Sequence, residues 1–302
     1  MGRALRFASS ILIASVLLAP ATPTRALPLA TPRGPVERLA GARPGMTLVW
    51  TGIRVTVPQP GHGVWAEAMT IDGSDHSIGL ETLPTGAVVV HGAAAGGGEG
   101  AGADGGQSPC ADSAYTLNGS SWQQTMRWYF NVSSTPPGVF RANAEAALRA
   151  AATNITHGVN DCHQSDQVTA TVGFQGTISR GVNISTSSGC LQRDGISVVG
   201  FGNLSANYIA MACWWTVGGH TVEADIRFNK YDYRWVANPG AGCWNRYVIE
   251  AVGTHEFGHV FGLAHVSEAQ HPLMTMSPII HPCERAEDTL GLGDLDGLET
   301  IY

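Results

Sequence analysis

The stretch HEFGHVFGLAH, residues 255–265, decides how the rest of this sequence is interpreted. On a helix, His255 and His259 lie one turn apart on the same face, so both imidazoles can reach one metal ion. Glu256 is the next residue round the helix, where it is better placed to accept a proton from a metal-bound water than to bind the ion. The pattern therefore predicts a helix that carries two metal ligands and a general base.

The second half of the same stretch supplies a third ligand. Gly262 can adopt positive φ and end the helix, which lets the chain turn back and bring His265 to the same ion. Three neutral imidazoles and a water are the ligands of an open, catalytic zinc site. Zinc lowers the pKa of its water to about 7 and polarises a carbonyl oxygen, as amide hydrolysis requires. We therefore expect one catalytic zinc ion, whereas calcium binding is possible but has no support in the sequence.

With the glycine and the third histidine in place, the sequence resembles the metzincin zinc endopeptidases. The order of its elements is most similar to the matrixin branch, in a secreted bacterial form. The resemblance implies an α+β fold with a twisted, mostly parallel sheet, an antiparallel edge strand, a long active-site helix and a small irregular C-terminal lobe after Gly262. It also implies that a zinc-bound water, activated by Glu256, hydrolyses peptide bonds.

The resemblance continues past the third histidine. Metzincins place a methionine in a tight turn beneath the zinc ligands as a hydrophobic floor, and Met276 matches this Met-turn best, with Met274 as the alternative. Asp294 matches the aspartate that supports the turn by hydrogen bonds in matrixins. The alternative for Asp294 is a simple helix N-cap. Arg227 stands where matrixins supply a histidine to a second, structural zinc, so we expect no second zinc.

An apolar stretch from Ala206 to Trp215 is the candidate for the edge strand that lines the cleft in matrixins. An exposed strand edge can bind an extended peptide as a further strand, so the expected partner is an extended peptide or protein substrate. The strongly apolar character of the stretch is also typical of a strand that is simply buried.

Composition and charge exclude other kinds of partner. The 302 residues carry a formal net charge of −7 without a basic block, so nucleic acid is not expected. Residues 1–26 combine Arg3 and Arg6 near the start, a short apolar run and small residues at the end, which predicts a signal peptide and a secreted, extracellular protein. No later stretch is long and apolar enough to anchor the chain, so we expect no stable membrane insertion. The oligomeric state is not determined by the sequence.

Six cysteines follow the signal peptide, which fits three disulfides in an oxidising compartment. The spacing does not determine how they pair. We favour the three sequential pairs, which are Cys110 with Cys162, Cys190 with Cys213, and Cys243 with Cys283.

The rest of the chain divides into three parts. Residues 27–92 contain short β-like runs, at 48–57 and 86–90, between turn signals, and we interpret them as a propeptide or a small β module. Residues 93–107 are nearly all glycine and alanine, which predicts an exposed linker that is open to proteolysis. Residues 108–302 hold every cysteine and the metal motif, and we expect them to be the catalytic domain, released by a cut near Ser108.

An inhibitory contact from the N-terminal part is conceivable. His62 or His76, together with Asp72 and Asp75, could reach the zinc, although such residues are more often solvated loop residues. A cysteine switch in its usual form is excluded, because no cysteine precedes Cys110.

The sequence leaves two functions open. The first is a secreted zinc metalloendopeptidase that is made as a zymogen. The alternative is a non-hydrolytic, zinc-containing surface or matrix-binding protein on the same fold. The presence of Glu256 favours the peptidase.

Overall fold

The computed structural model describes residues 27–28, 36–91 and 108–302. The predicted signal peptide at 1–26 and the predicted linker at 93–107 lie outside the described residues. In the described ranges, no helix is long and apolar enough to cross a membrane.

The strands come in two groups, one before and one after the predicted linker. The N-terminal strands are β1 (Leu27–Pro28), β2 (Val36–Arg38), β3 (Thr47–Trp50), β4 (Ile53–Thr56), β5 (His62–Thr70), β6 (Ser77–Thr82) and β7 (Val88–His91). The C-terminal strands are β8 (Thr116–Leu117), β9 (Ser121–Trp122), β10 (Met126–Asn131), β11 (Val172–Ile178), β12 (Gly189–Cys190), β13 (Ser197–Gly202), β14 (Tyr208–Val217), β15 (His220–Asn229), β16 (Trp235–Val236), β17 (Tyr247–Val248) and β18 (Leu263–Ala264).

Three α-helices accompany these strands among the described residues. They are α1 (Arg141–Thr156), α2 (Ile249–Val260) and α3 (Leu292–Ile301). Helix α1 is rich in alanine, the best helix former, and α2 contains the metal motif. Gly253 of α2 lies against α1, since a Cβ there would come within 2.9 Å of Ala151 Cβ. This close approach packs α2 tightly against α1.

The main sheet has the strand order β11-β10-β13-β15-β14-β5-β6-β7-β2, and β9 pairs with β15. Strands β11, β10, β13 and β15 run parallel to one another, whereas β14 is antiparallel to β15. The expected twisted mixed sheet is thus confirmed. Among the strands of residues 108–302, β14 is the antiparallel strand at the end of the sheet.

In the full chain, however, β14 is not exposed. Strand β5 pairs antiparallel with its outer edge, from Tyr208 opposite Thr70 to Val217 opposite His62. Successive β14 side chains also enter two different apolar cores, Trp214 on the helix side of the sheet and Trp215 on the other. Both expectations for this stretch therefore hold in part. The strand is the edge of the C-terminal part and is buried once the N-terminal strands are added.

The second core joins the two parts of the chain. Ile53, Val55 and Leu80 of the N-terminal strands pack in one buried cluster with Met211 and Trp215 of β14. A small second sheet makes the same connection, because β4 pairs with β12. The N-terminal strands are thus built into the same sheets as the C-terminal part.

Two details of the N-terminal part differ from the sequence interpretation. The β-like run at 48–57 is not one strand but the hairpin β3–β4, because Thr51 and Gly52 both adopt positive φ, 45° and 96°. Strands β5 and β6 were not anticipated from the sequence. The pairing of β5 with β14 is formed by residues that are distant in sequence, which local patterns do not reveal.

Three disulfides join the pairs that the sequence analysis favoured, namely Cys110–Cys162, Cys190–Cys213 and Cys243–Cys283. The second of these ties β12 to β14 beside the second core.

Candidate metal centre and substrate groove

The candidate metal centre begins in the last turns of α2. His255 and His259 are both fully buried, one turn apart on the same helix. The helix ends at Val260, and Gly262 follows with φ of 105°. A Cβ at Gly262 would lie 2.6 Å from the carbonyl oxygen of Ser120, so both conformation and space require glycine here. The chain then turns back to bring His265 to the same place.

The three imidazoles converge through their Nε2 atoms. His255 Nε2 lies 2.9 Å from His259 Nε2 and 3.0 Å from His265 Nε2. Nitrogens that bind one zinc ion at about 2.0–2.1 Å are roughly 3 to 3.5 Å apart. The three rings therefore match the donor set of a single metal ion.

Backbone carbonyl oxygens contact the Nδ1 atoms of two of the rings and so fix their orientation. The Nδ1 of His255 lies 2.8 Å from the Thr275 carbonyl oxygen, and that of His259 lies 3.1 Å from the Leu263 carbonyl oxygen. Such outer contacts select the ring orientation and leave Nε2 for the metal. Burial, followed by the neighbouring rings, holds the pKa of His255 well below its usual value, which keeps this ring neutral.

Asn118 supports the turn between the second and third histidines. Its side-chain amide donates hydrogen bonds of 2.8 and 3.0 Å to the carbonyl oxygens of His259 and Leu263. The sequence analysis did not identify this role, because Asn118 lies far from the motif in sequence.

Glu256 lies beside the triad and is completely buried. Neither carboxylate oxygen has a hydrogen-bond partner among the residues that the structure describes. Burial raises the pKa of this carboxyl well above its usual range, and the negative charge of Glu67 raises it further. A buried, unpaired carboxylate is costly, and a water beside the three imidazoles would satisfy it. The residues present thus fit a metal ion with a water ligand.

Met276 lies directly beneath α2. A Cβ at Gly258 would overlap Met276 Sδ, so the methionine packs against the backbone between the two helical histidines. Met274, the alternative for the Met-turn, packs instead near Gly291 and in a small cluster with Ala114.

Asp294 holds this turn in place. Its carboxylate accepts hydrogen bonds from the backbone N–H groups of Thr275 at 2.9 Å and Met276 at 3.2 Å. It also accepts one from Gly291 N–H at 3.0 Å, at the start of α3. Burial raises its pKa to about 6 although these bonds favour the charged form. Asp294 therefore supports the turn as expected. It is not the N-cap of α3, which is Gly291, but its carboxylate accepts the hydrogen bond from the N–H of that residue.

The N-terminal part adds a residue that the sequence analysis did not identify. Glu67 of β5 is 3% exposed, and its Oε1 lies 2.7 Å from His265 Nδ1 while its Oε2 lies 3.0 Å from His259 Nδ1. Burial alone raises the pKa of Glu67, but the charges of His259 and His265 reverse this and lower it well below its usual value. The feature of the sequence that could have identified Glu67 is its position as a single carboxylate between Ala66 and Ala68, in a strand that is otherwise mostly apolar.

Three of the N-terminal residues considered as inhibitors are engaged elsewhere. His62 Nδ1 contacts the Pro60 carbonyl oxygen, His76 Nδ1 contacts the Tyr208 hydroxyl, and Asp72 accepts bonds from Ser74. The fourth, Asp75, lies close enough to Glu67 and His265 to form a second group of potential ligands.

A cavity of about 440 Å³ lies next to the triad, between β5 and the segment after α2. Its lining residues include Glu67, Asp75, Asn118, Trp214 and His265. The cavity is the part of the space beside the metal centre that β5 leaves empty.

The comparison with protein families agrees with this geometry. Residues 200–302 match the family model of the matrixins. The matched segment contains β14, β15, α2, the three histidines and α3. A search of curated proteins found no match for the chain. The matrixin resemblance is thus confirmed over residues 200–302, and it indicates a metallopeptidase that uses zinc and acts on peptides.

If Met276 is a packing residue, its shape matters and its sulfur does not. Met276→Leu should therefore retain stoichiometric zinc and lower the free energy of unfolding by less than about 1.5 kcal/mol. Met276→Ala should lower it by about 2–5 kcal/mol, because a cavity opens under α2. Thermal unfolding and metal analysis of the purified variants test this. Loss of zinc from a folded Met276→Leu protein would instead indicate that the sulfur is a ligand.

Proposed function

We propose that this chain, whose residues 200–302 match the matrixin family, is a secreted zinc-dependent endopeptidase. The observation that carries the proposal is that the Nε2 atom of His255 lies within 3.0 Å of those of His259 and His265, beside the buried and unpaired carboxylate of Glu256. We assign His255, His259 and His265 as the zinc ligands. Met276 provides the apolar support beneath them.

In this proposal Glu256 moves the protons. When bound, zinc lowers the pKa of a water ligand to about 7 and polarises a carbonyl oxygen. Glu256 takes a proton from the water as it attacks the peptide carbonyl, and then passes that proton to the leaving amine. The carbonyl oxygens of Thr275 and Leu263 keep the rings of His255 and His259 oriented throughout.

We propose that the substrate binds in an extended conformation along β14. The outer edge of this strand offers main-chain N–H and C=O groups that can hold a peptide of any sequence in register. In the described chain β5 pairs with that edge. The proposal therefore treats residues 27–92 as a propeptide, with secretion directed by residues 1–26.

Hydrolysis of a generic protein substrate with and without a zinc chelator is the direct test. Protein from the culture medium would be assayed before and after limited proteolysis of the linker region and separation of the N-terminal fragment. Activity that the chelator abolishes and zinc restores supports the proposal. A zinc-loaded C-terminal part that hydrolyses no protein or peptide would contradict it and favour a binding function.

Glu256→Ala removes the proposed general base and keeps all three ligands. The variant should bind zinc normally while turnover falls by about 10²–10⁴-fold, the usual contribution of a positioned base. Kinetics beside metal analysis test this, with Glu299→Ala in α3 as a control that should behave as wild type. Near-normal turnover of a folded, zinc-loaded Glu256→Ala protein would exclude the mechanism.

His265→Ala should weaken zinc binding as well as activity, because only two imidazoles remain. We expect zinc affinity to fall by more than the about 10–100-fold that is typical of losing an outer contact. His281→Ala, at an exposed histidine, is the matched control. Stoichiometric zinc in His265→Ala at low free metal would mean that another residue is a ligand. His271 and Glu268 are weaker candidates, since they pair with Asp112 and Ser277.

Maturation should cut the chain within or near residues 93–107, since segments of small residues are preferred sites of nicking. The active species should then begin close to Ser108. N-terminal sequencing and intact mass of the active protein measure this. A fully active, undivided chain that begins near residue 27 would make the N-terminal part an accessory module instead.

A further inference from the structure

Residues 118–122 lie against the carbonyl end of α2. Trp122 Nε1 donates a 3.0 Å hydrogen bond to the carbonyl oxygen of Val260, the last residue of the helix. The backbone N–H of Asn118 donates one of 2.8 Å to the Gly262 carbonyl oxygen. The last carbonyl groups of a helix have no partners within it, so buried ones need partners from elsewhere in the chain. Residues 118–122 therefore hold the backbone that joins the second and third histidines.

Asn118 also acts on the histidine rings through backbone groups. Its Nδ2 donates to the carbonyl oxygens of His259 and Leu263. The Leu263 oxygen is the same atom that contacts Nδ1 of His259 and so orients that ring. His265 follows two residues after Leu263. A displacement of Asn118 would therefore disturb the orientation of one ligand and the position of another.

The other end of the Asn118 amide leads to β14. Its Oδ1 accepts hydrogen bonds from Ser120, 3.0 Å from the backbone N and 2.7 Å from Oγ. Ser120 Oγ accepts in turn a 2.9 Å bond from Trp214 Nε1. Exchanging the two ends of the amide would set its N–H groups against the N–H of Ser120 and its oxygen against two carbonyl oxygens, so the bonds fix its orientation.

These three side chains, which we call the Asn118 network, are buried. Asn118 is 9% exposed, Ser120 3% and Trp214 1%. Buried hydrogen bonds of this kind are rigid, because a broken bond leaves a polar group without a partner. Trp214 belongs to β14, the proposed substrate strand, and it lines the same cavity as His265. The network is thus a direct polar connection between that strand and the metal-ligating segment.

We propose that Asn118 is a positioning residue that couples β14 to the metal centre through Ser120 and Trp214. A metal ion that orders His259 and His265 also orders Trp214. An extended peptide that holds β14 in place favours, in return, the arrangement of the rings that the metal requires, because such coupling is reciprocal. The inference rests on the proposed function in identifying the metal as zinc and β14 as the substrate strand.

Nuclear magnetic resonance of the indole N–H groups tests the coupling directly. The full chain carries Glu256→Ala, so that self-cleavage cannot interfere, and its eight tryptophans give few indole signals to assign. Trp214→Phe identifies the signal of Trp214. The signal of Trp235, whose Nε1 donates to the Asn229 carbonyl oxygen outside the network, is the internal control. Signal position and hydrogen exchange are measured with zinc and after its removal by a chelator, and zinc affinity is measured by competition.

Two variants interrupt the network at different points. Ser120→Ala removes the hydroxyl that joins Trp214 to Asn118 and leaves the Asn118 bonds to the backbone after α2. Asn118→Leu has a similar volume and removes both connections. The matched control is Asn160→Leu, because Asn160 likewise donates to two carbonyl oxygens and accepts from two backbone N–H groups, but it contacts none of the three histidines.

In the wild-type and Asn160→Leu backgrounds, zinc should slow exchange of the Trp214 indole proton and shift its signal more than that of Trp235. This response should disappear in Ser120→Ala and in Asn118→Leu. Zinc affinity should fall by about 10–100-fold in Asn118→Leu, as for other outer contacts of metal ligands. The fall should be smaller in Ser120→Ala, since Asn118 still holds the carbonyl oxygens of His259 and Leu263.

Three results would overturn the inference. They are a wild-type Trp214 response to zinc no larger than that of Trp235, a full response in Ser120→Ala, and equal zinc affinities of Asn118→Leu and Asn160→Leu. If Asn118→Leu does not fold, the wild type and Ser120→Ala decide. A protein that binds no zinc would contradict the proposed function as well, whereas a zinc-binding protein without the Trp214 response contradicts the coupling alone.

Discussion

The meeting of three imidazole nitrogens in the protein interior is the constraint on which the rest of this structure depends. The Nε2 atom of His255 lies 2.9 Å from that of His259 and 3.0 Å from that of His265, and one metal ion can bind all three rings at such separations. The surrounding residues hold the rings there. Thr275 and Leu263 accept from the ring nitrogens, and other groups fix these two residues in turn.

That support reaches outward through the C-terminal lobe. Asp294 binds the backbone of the turn that contains Thr275 and Met276, and it binds Gly291 at the start of α3. The last helix, the turn and the metal centre are therefore one connected unit. The small lobe after Gly262 contributes to the site by positioning groups around the ligands.

Strand β14 can have two roles, and each excludes the other. In residues 108–302 it is the terminal antiparallel strand, with an edge suited to an extended peptide. In the described chain β5 pairs with that edge, and the second core covers one of its faces. The apolar sequence of β14 is explained by burial on both faces, which means that removing residues 36–91 would expose a large apolar surface.

The sequence by itself determined the parts of the site that lie on one short segment. His255, Glu256 and His259 share a helix, so helical periodicity alone relates them, and positive φ at Gly262 explains how His265 joins them. The mixed sheet and the C-terminal helix were also expected, because the resemblance to the matrixins implies them. Only the tertiary structure decided that Glu67 and Asn118 reach the same centre. Their contacts join residues that are remote in the chain, and such contacts depend on strand pairing and packing, which no local pattern encodes.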